Sequence, residues 1–532
     1  MKRLRDIGEI AFVLCLWAAA IAFIRPVGEF PLLDDWDFTI ATWNFARTGH
    51  FHFTLFTAVS LRAMVLYFAA WARIFGESFL VLRIATMTLG AATIVIINRM
   101  LRLAGLGRVP RVIATLAFAF HPIFLWASCT HMTEVPFVCA GVGTMLLIWR
   151  GVERERWLMI VAGCALAIVS CFIRQTGVLN LIAPAIVVVM SRERRRFAAP
   201  LGASIALIGI VFLVRGEWLS GSPSEFASQY KMWHETSFRL PQQIGLLYHY
   251  SVFNAQNIGL FFLPLIAAAA FAARKRLFAI AAIVILLRVQ HLINIGIAMP
   301  YFAFAPGEDI LQGNILTNFG LGPPTLDDVW SMRHPYPFHL TWMGQLLLTY
   351  LSVIAGAILI AALVRPKELL SRLAVTLAAI GTIALAASGF HWDRYSLDSA
   401  WSAGIALALV VPWQKRAAKT ASMIVLIIVG GWSMFSVQEY FAWQRARWQA
   451  FHSLRVAGVL IRDIDAGSEP SNFYEIAYMS RDEARRAVMH HPPREYMLAI
   501  APLPGYSVVA RQPFAGWFGL HRGAIYTLRR GS

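Results

Sequence analysis

Long apolar runs recur along most of this 532-residue chain, and at about 18 to 22 residues each one is long enough to cross a bilayer core of about 30 Å. Hydrophobic residues make up 58% of the chain and charged residues 14%, against roughly 25% charged residues in soluble domains. The sequence therefore predicts an all-α polytopic membrane protein. The expected spans are 7–25, 79–100, 110–128, 135–150, 157–173, 176–191, 198–214, 257–273, 277–298, 340–364, 372–389, 396–413 and 420–437.

Basic residues between the apolar runs set the expected orientation. The formal net charge is +18, but Lys and Arg concentrate in short loops, as orientation signals do, which argues against a nucleic-acid-binding surface. Placing every basic loop in the cytoplasm predicts about thirteen helices, a cytoplasmic N-terminus and an external C-terminus. The basic loops lie at 99–111, 150–156, 192–196, 274–276, 365–372 and 415–419.

The segments outside the expected spans are unequal in length and composition. A transmembrane module at 1–437 would carry external loops at 26–78, 215–256 and 299–339. The first of these loops has aromatic and apolar residues at helical spacing, which predicts helices lying in the membrane interface. Residues 438–532 are richer in charge and contain strand-like pieces near 496–500 and 524–528. We therefore expect a small C-terminal external α/β domain.

Three carboxylates follow the first span. Asp34, Asp35 and Asp37 lie within four consecutive positions, and their mutual repulsion predicts a raised pKa for at least one of them. An Asp before a helix also caps it well, so capping or a solvated loop is the alternative interpretation.

Two very short external links also carry a charged residue. Glu134 follows Thr133 and precedes Pro136 in the link between the third and fourth spans. Helix capping accounts for Thr133 but less well for a carboxylate held in a tight turn. Arg174 lies in the link between the fifth and sixth spans, where an arginine either reaches lipid phosphate or binds an anionic ligand.

A fourth cluster lies between the eleventh and twelfth spans and contains His391, Asp393, Arg394 and Tyr395. Its alternative interpretation is an interfacial Asp–Arg pair within an aromatic belt. The expected topology puts all four clusters on the external side of the membrane. Carboxylates and arginines at that face would bind an anionic head group whose apolar tail stays in the bilayer, with acid–base chemistry beside it.

These motifs resemble the GT-C glycosyltransferases, and most closely their protein O-mannosyltransferase and aminoarabinose-transferase branch. That branch is similar in its acidic pair after the first helix, in a Thr-acid-x-Pro element at the fourth helix and in its external C-terminal domain. This chain departs from the branch at Asp37, the position where aminoarabinose transferases carry an arginine that binds the donor phosphate. Binding of the phosphate would then depend on other cations, namely Arg174, Arg394, Arg62 or Lys231. The matching elements are Asp34–Asp35, Thr133–Pro136, Arg174–Gly177, Asp393–Tyr395 and, in the tail, Ile464–Gly467 with Asn472–Tyr474.

The resemblance implies an inverting sugar transfer from a polyprenyl phosphate at the periplasmic face of a bacterial inner membrane. Asp34 would be the catalytic base, with Asp35 and Glu134 tuning it. Arg174 and Arg394 would neutralise the leaving phosphate, with Asp393 beside them, and Tyr395 and His391 could hydrogen-bond phosphate or sugar. The branch needs no catalytic metal, although the acidic cluster with His131 could hold a divalent ion.

Membrane proteins with other functions have the same apolar composition. A transporter or flippase would place ionisable residues near the bilayer midplane and show internal repeats, and only Arg288 and His291 in the ninth span fit the first criterion. An O-antigen ligase would carry its catalytic residues in one large external loop, and a family member without activity would be a binding subunit. The sequence leaves the donor sugar open, and the acceptor could be a lipid, a glycan or a protein.

Overall fold

The computed structural model describes residues 2–531 except 55, 58, 215–239, 302–314, 318–319, 324–325, 327–339, 365, 388–391, 476–478 and 480–493. Helices dominate these residues. They are α1 Lys2–Ile24, α2 Asp35–Thr48, α3 Arg62–Phe75, α4 Phe79–Leu103, α5 Arg108–Ala119, α6 Pro122–Ser128, α7 Glu134–Glu153, α8 Trp157–Cys171, α9 Leu179–Met190, α10 Ala198–Val214, α11 Leu240–Phe261, α12 Leu263–Ala269, α13 Lys275–Asn294, α14 Trp342–Leu363, α15 Leu369–Ala387, α16 Leu397–Val410, α17 Arg416–Val456 and α18 Ser468–Tyr474. The strands are β1 Leu316–Thr317, β2 Gly320–Leu321, β3 Ile464–Asp465, β4 Tyr496–Ala499, β5 Tyr506–Gly516 and β6 His521–Arg530.

An apolar helix occupies each predicted span, so the polytopic all-α architecture is confirmed. Within the described part of the chain, seven helices are long and apolar enough to cross a membrane, and up to nine spans result if α5–α6 and α11–α12, bent by 61° and 91°, each count as one. Helices α8, α9, α10 and α16 are apolar but shorter. The total of about thirteen crossings stays a prediction.

Helix α11 starts inside the external loop predicted at 215–256. Hydropathy missed this part because the helix carries amide side chains, which lower its average. Those amides are paired inside the protein: Asn254 Nδ2 donates to Ser399 Oγ at 3.0 Å, and Gln256 Nε2 donates to Ser352 Oγ at 2.8 Å. Buried amides with such partners do not carry the cost that their polarity implies.

A buried acid ties the first span to its neighbours. Glu9 of α1 accepts hydrogen bonds from Arg111 Nε at 2.6 Å and from Asn98 Nδ2 at 3.0 Å. An ionisable residue within a span is normally paired in this way. The pair lies at the end of α1 opposite to the acidic cluster.

Arg83 fixes the loop that leads from α1 to α2. This fully buried side chain donates to the backbone carbonyls of Pro26, Gly28 and Phe30 at 3.2, 2.8 and 2.6 Å. Helices α2 and α3 lie within the segment 26–78, where helical spacing predicted helices, and their position in the membrane interface stays a prediction. Because three carbonyls share one buried guanidinium, the loop enters α2 in a defined conformation.

The last long helix joins the membrane part to the C-terminal sheet. Helix α17 has 41 residues, which at 1.5 Å per residue is about 60 Å and exceeds a bilayer core of about 30 Å. It continues without a break across position 437, and its C-terminal half packs against β5 and β6. The sheet has the order β3-β4-β6-β5, with β3 and β4 parallel and the other pairs antiparallel. The strands predicted near 496–500 and 524–528 are β4 and part of β6.

Candidate active site

Four links that are distant in sequence meet at one place. Arg394 Nη2 lies 2.6 Å from Asp34 Oδ2, and Arg174 Nη2 lies 2.6 Å from Glu134 Oε1. Arg394 Nε is a further 3.9 Å from Glu134 Oε1. Each side chain stands at the start of a helix or a helical turn, so the ends of α2, α7, α9 and α16 position the cluster. We call these four residues the Asp–Arg cluster.

Tyr395 completes one side of the cluster. The guanidinium carbons of Arg174 and Arg394 lie 5.6 and 5.2 Å from the centre of its ring. A cation above an aromatic face is attracted by the ring's quadrupole. The ring therefore holds the two like-charged groups side by side.

The two carboxylates of the cluster differ in their exposure to solvent. The Asp34 side chain is 47% exposed, whereas that of Glu134 is 0% exposed. Both arginine side chains are almost completely buried. Only Asp34 among the four can meet a substrate hydroxyl without rearrangement of the protein.

Both buried arginines stay charged. Burial lowers the pKa of Arg174, but the negative charges of Asp398 and Glu134 outweigh this effect and raise the pKa overall. Burial likewise lowers the pKa of Arg394, and the charge of Asp34 raises it above its ordinary value. The cluster therefore keeps two permanent positive charges beside a carboxylate that is open to solvent.

Asp398 also belongs to this site, although the sequence motifs did not identify it. Its Oδ1 accepts from Arg174 Nη1 at 2.9 Å, and its Oδ2 lies 3.4 Å from the hydroxyl of Thr176. Arg174 Nε also donates to Thr133 Oγ1 at 2.7 Å. The signal in the sequence was an acid inside an apolar span, one helical turn after Arg394, which is costly unless paired.

Asp35 is turned into the protein. Its carboxyl is fully buried and accepts a hydrogen bond from the backbone N–H of Leu32. Burial raises the pKa of Asp35 to about 7, while the charge of Arg83 and the Leu32 N–H lower it. The raised pKa that the sequence predicted from repulsion between carboxylates is thus caused mainly by burial.

Asp37, where the aminoarabinose-transferase pattern has arginine, is also buried. Its Oδ1 accepts from the hydroxyls of Thr54 and Thr57 at 2.6 and 2.9 Å. Burial raises the pKa of Asp37 to about 6, the two hydroxyls lower it, and the charge of Asp34 raises it. Asp37 therefore fixes the loop after α2 and leaves the anion-binding role to the cationic residues.

The buried carboxyl of Asp37 gives a prediction about pH and stability. Because its folded-state pKa is raised from 3.8 to about 6, its contribution to stability is fully present below 3.8 and is lost as the pH rises through about 6. A shift of this size corresponds to about 3 kcal/mol. Between pH 5 and pH 8, the free energy of unfolding should fall less for Asp37→Asn than for the wild type. The matched control Glu77→Gln, at an exposed site, should follow the wild type, and parallel curves for Asp37→Asn would contradict the assignment.

The other predicted residues lie as follows. Asp393 is buried and accepts hydrogen bonds from the backbone N–H groups of Ile315 and Leu316 at 3.0 and 2.6 Å, so it anchors β1. Arg62 lies over the rings of Phe51 and Phe53. His391 and Lys231 lie outside the described residues.

A divalent metal stays a prediction for this site. His131 Nδ1 lies 3.1 Å from Thr39 Oγ1, and its ring packs against Phe68. Within the described ranges, no group of three His, Cys, Asp or Glu side chains is arranged to hold a metal ion.

One segment of the chain matches a known protein family. Residues 63–217 match the family model described as dolichyl-phosphate-mannose-protein mannosyltransferase. This segment contains Glu134 and Arg174 but not Asp34 or Arg394. The search of curated proteins gives no match.

Two solved structures were also compared over nearly the whole length. The crystal structure of ArnT from Cupriavidus metallidurans in the apo state has 12% sequence identity and a TM-score of 0.37, covering 98% of each chain. The same protein bound to undecaprenyl phosphate has 11% identity and a TM-score of 0.38, again covering 98% of each chain. The family match over residues 63–217 confirms the resemblance of this chain to the protein O-mannosyltransferase branch of the GT-C glycosyltransferases.

Proposed function

We propose that this chain is an inverting glycosyltransferase that moves a sugar from a polyprenyl phosphate to an acceptor hydroxyl at the external face of a bacterial inner membrane. The observation that carries the proposal is the Asp–Arg cluster. It combines one exposed carboxylate, Asp34, with the buried guanidinium of Arg394 at 2.6 Å. A base beside an anion-binding group is what such a transfer requires.

The donor phosphate would bind at Arg394. Among the residues that the structure describes, its buried Nε and Nη1 donate no hydrogen bond. A buried donor without a partner is costly, and a phosphate oxygen would satisfy it with a charge-assisted hydrogen bond. Arg174 supplies the second positive charge nearby. The prenyl chain would extend from the phosphate between the apolar helices.

Binding of the phosphate would release the base. Asp34 accepts a hydrogen bond from Arg394 Nη2 in the structure, and a phosphate that binds Nε and Nη1 would neutralise the guanidinium and weaken its hold on the carboxylate. Asp34 would then accept the proton of the acceptor hydroxyl. The acceptor oxygen would form a bond to the anomeric carbon while the bond from that carbon to the phosphate oxygen breaks, and polyprenyl phosphate would leave with the electron pair. One displacement of this kind inverts the anomeric centre.

The remaining site residues would support this step. Glu134 is completely buried against Arg174, so it would hold that cation and tune the field at Asp34. Asp35 would fix the backbone before α2, and Asp393 would anchor the loop of β1. Tyr395, between the two arginines, could also contact phosphate or sugar, as could His391.

The proposed reaction takes place on the external side of the membrane and uses no cofactor. The cluster lies at helix ends opposite to the basic loops, which supports an external site with a cytoplasmic N-terminus and a periplasmic C-terminus. The chemistry needs no cofactor, because the carboxylate moves the proton and the arginines stabilise the leaving group.

The test of the function uses the full chain in lipid nanodiscs with a panel of polyprenyl-phosphate sugars. We expect release of polyprenyl phosphate and appearance of the sugar on a lipid, glycan or protein acceptor, read by mass spectrometry. Arg394→Met should bind the donor more weakly and lower the rate by about 10²- to 10³-fold, the range for loss of one transition-state donor. Wild-type protein that binds these donors but never releases polyprenyl phosphate with any acceptor extract would contradict the proposal.

A further inference from the structure

The residue directly before Asp34 has an unusual backbone. Leu33 has a φ of 55°, which is the left-handed region that favours glycine. For a residue with a Cβ, this conformation is disfavoured roughly tenfold. A contact from elsewhere in the protein must therefore hold Leu33, and that contact also sets the position of the Asp34 carboxylate.

The contact comes from the C-terminal part of the chain, 436 positions away. Glu469 Oε1 accepts a hydrogen bond from the backbone N–H of Leu33 at 3.2 Å. Glu469 is completely buried, and its other carboxylate oxygen lies 2.7 Å from Arg447 Nη2. Arg447, on α17, is buried as well and donates to the carbonyl of Ala466 at 2.7 Å.

The helix that carries Glu469 is fixed against the same region. Phe473 of α18 packs on Trp43 of α2 and Phe79 of α4, with ring centres 6.2 and 5.6 Å apart. At the start of α18, Gly467 has a φ of 90° and its N–H donates to Asp465 Oδ1 at 3.1 Å. This turn directs Glu469 towards Leu33.

We propose that Glu469, charge-balanced by Arg447, is a positioning residue for the Asp34 base. It would keep Leu33 left-handed and so aim the carboxylate at Arg394 and the acceptor. The C-terminal part would then be a component of the active site. This inference rests on the proposed function, because it assigns Asp34 the role of base.

The test removes the contact and then restores the conformation. Glu469→Ala is combined with Arg447→Met so that no buried charge is left unpaired. We expect kcat to fall about tenfold with KM for the donor nearly unchanged, because donor binding at Arg394 does not need Glu469. Adding Leu33→Gly should recover at least part of kcat, since glycine adopts a positive φ without strain. A loss caused only by a weakened fold would not be recovered by a glycine in a loop.

A second variant breaks the same contact from the other side. Leu33→Pro removes the N–H donor and excludes a positive φ, while the Glu469–Arg447 pair stays intact. We expect a similar loss of kcat. The control Glu495→Ala, in the same C-terminal part but half-exposed and paired with Arg529 at 2.9 Å, should behave as wild type.

Amide hydrogen exchange in the segment 30–36 separates this inference from the proposed function. Exchange there should rise in the Glu469→Ala/Arg447→Met protein, whether or not the protein transfers sugar. Unchanged exchange, or wild-type kcat in that protein, would overturn the positioning role while leaving the proposed function intact. A third outcome is raised exchange in the Glu469→Ala/Arg447→Met protein together with no sugar transfer by the wild type. That outcome would overturn the proposed function and, with it, the catalytic part of this inference.

Discussion

Replacing Asp34 by Asn is expected to lower kcat for sugar transfer by about 10²- to 10⁴-fold, the contribution of a well-placed general base. Asn has nearly the same size but cannot accept the proton of the acceptor hydroxyl. Donor affinity should be equal or higher, because Arg394 loses the carboxylate that lies 2.6 Å away and competes with phosphate. The measurement is single-turnover transfer in nanodiscs, together with direct binding of polyprenyl phosphate.

The two readouts distinguish the possible roles of Asp34. Glu77→Gln removes an exposed carboxylate of the same segment between α1 and α4 and should leave both readouts unchanged. Undiminished transfer by Asp34→Asn would exclude Asp34 as the base. A parallel loss of rate and donor affinity would instead make Asp34 a ligand of the donor sugar.

Replacing Arg174 by Met is expected to lower the free energy of unfolding by about 3–5 kcal/mol, the cost of breaking a buried ion pair from one side. Arg174 Nη2 and Nη1 lie 2.6 and 2.9 Å from Glu134 and Asp398. Removing the guanidinium leaves two carboxylates with little access to water and no cation between them. Unfolding by a denaturing detergent, followed by the loss of tertiary signal, measures the change.

A double-mutant cycle tests whether the effect comes from this pair. Arg174→Met combined with Glu134→Gln should be more stable than Arg174→Met alone, since one of the two carboxylate charges left without a cation is then removed. The control Arg47→Met breaks the exposed pair with Glu77, whose arginine is 64% exposed, and should cost about 0–1 kcal/mol. Equal losses for Arg47→Met and Arg174→Met would contradict the special role of the buried pair.

The sequence predicted the membrane spans better than it predicted the buried polar contacts. Hydropathy is a sum over neighbouring residues, so it located an apolar helix at every predicted span. It failed over the part of α11 before residue 257, where Asn254 and Gln256 are polar in the sequence but paired with hydroxyls in the fold. It also passed over Glu9 and Asp398, two acids within apolar segments whose arginine partners are distant in sequence.

The sequence by itself determined that this chain is a polytopic helical membrane protein with a small C-terminal sheet. It also predicted one external group of charged and polar residues, namely Asp34, Asp35, Asp37, Glu134, Arg174, His391, Asp393, Arg394 and Tyr395. Those conclusions follow from local composition and from the sidedness of charged links. Only the tertiary structure decided which carboxylate is exposed: Asp34 faces solvent, while Asp35 and Asp37 are buried one and three residues later. It also brought Glu469 to Leu33. The contact between Glu469 and Leu33 spans 436 positions and that between Arg394 and Asp34 spans 360, and no local sequence pattern contains that information.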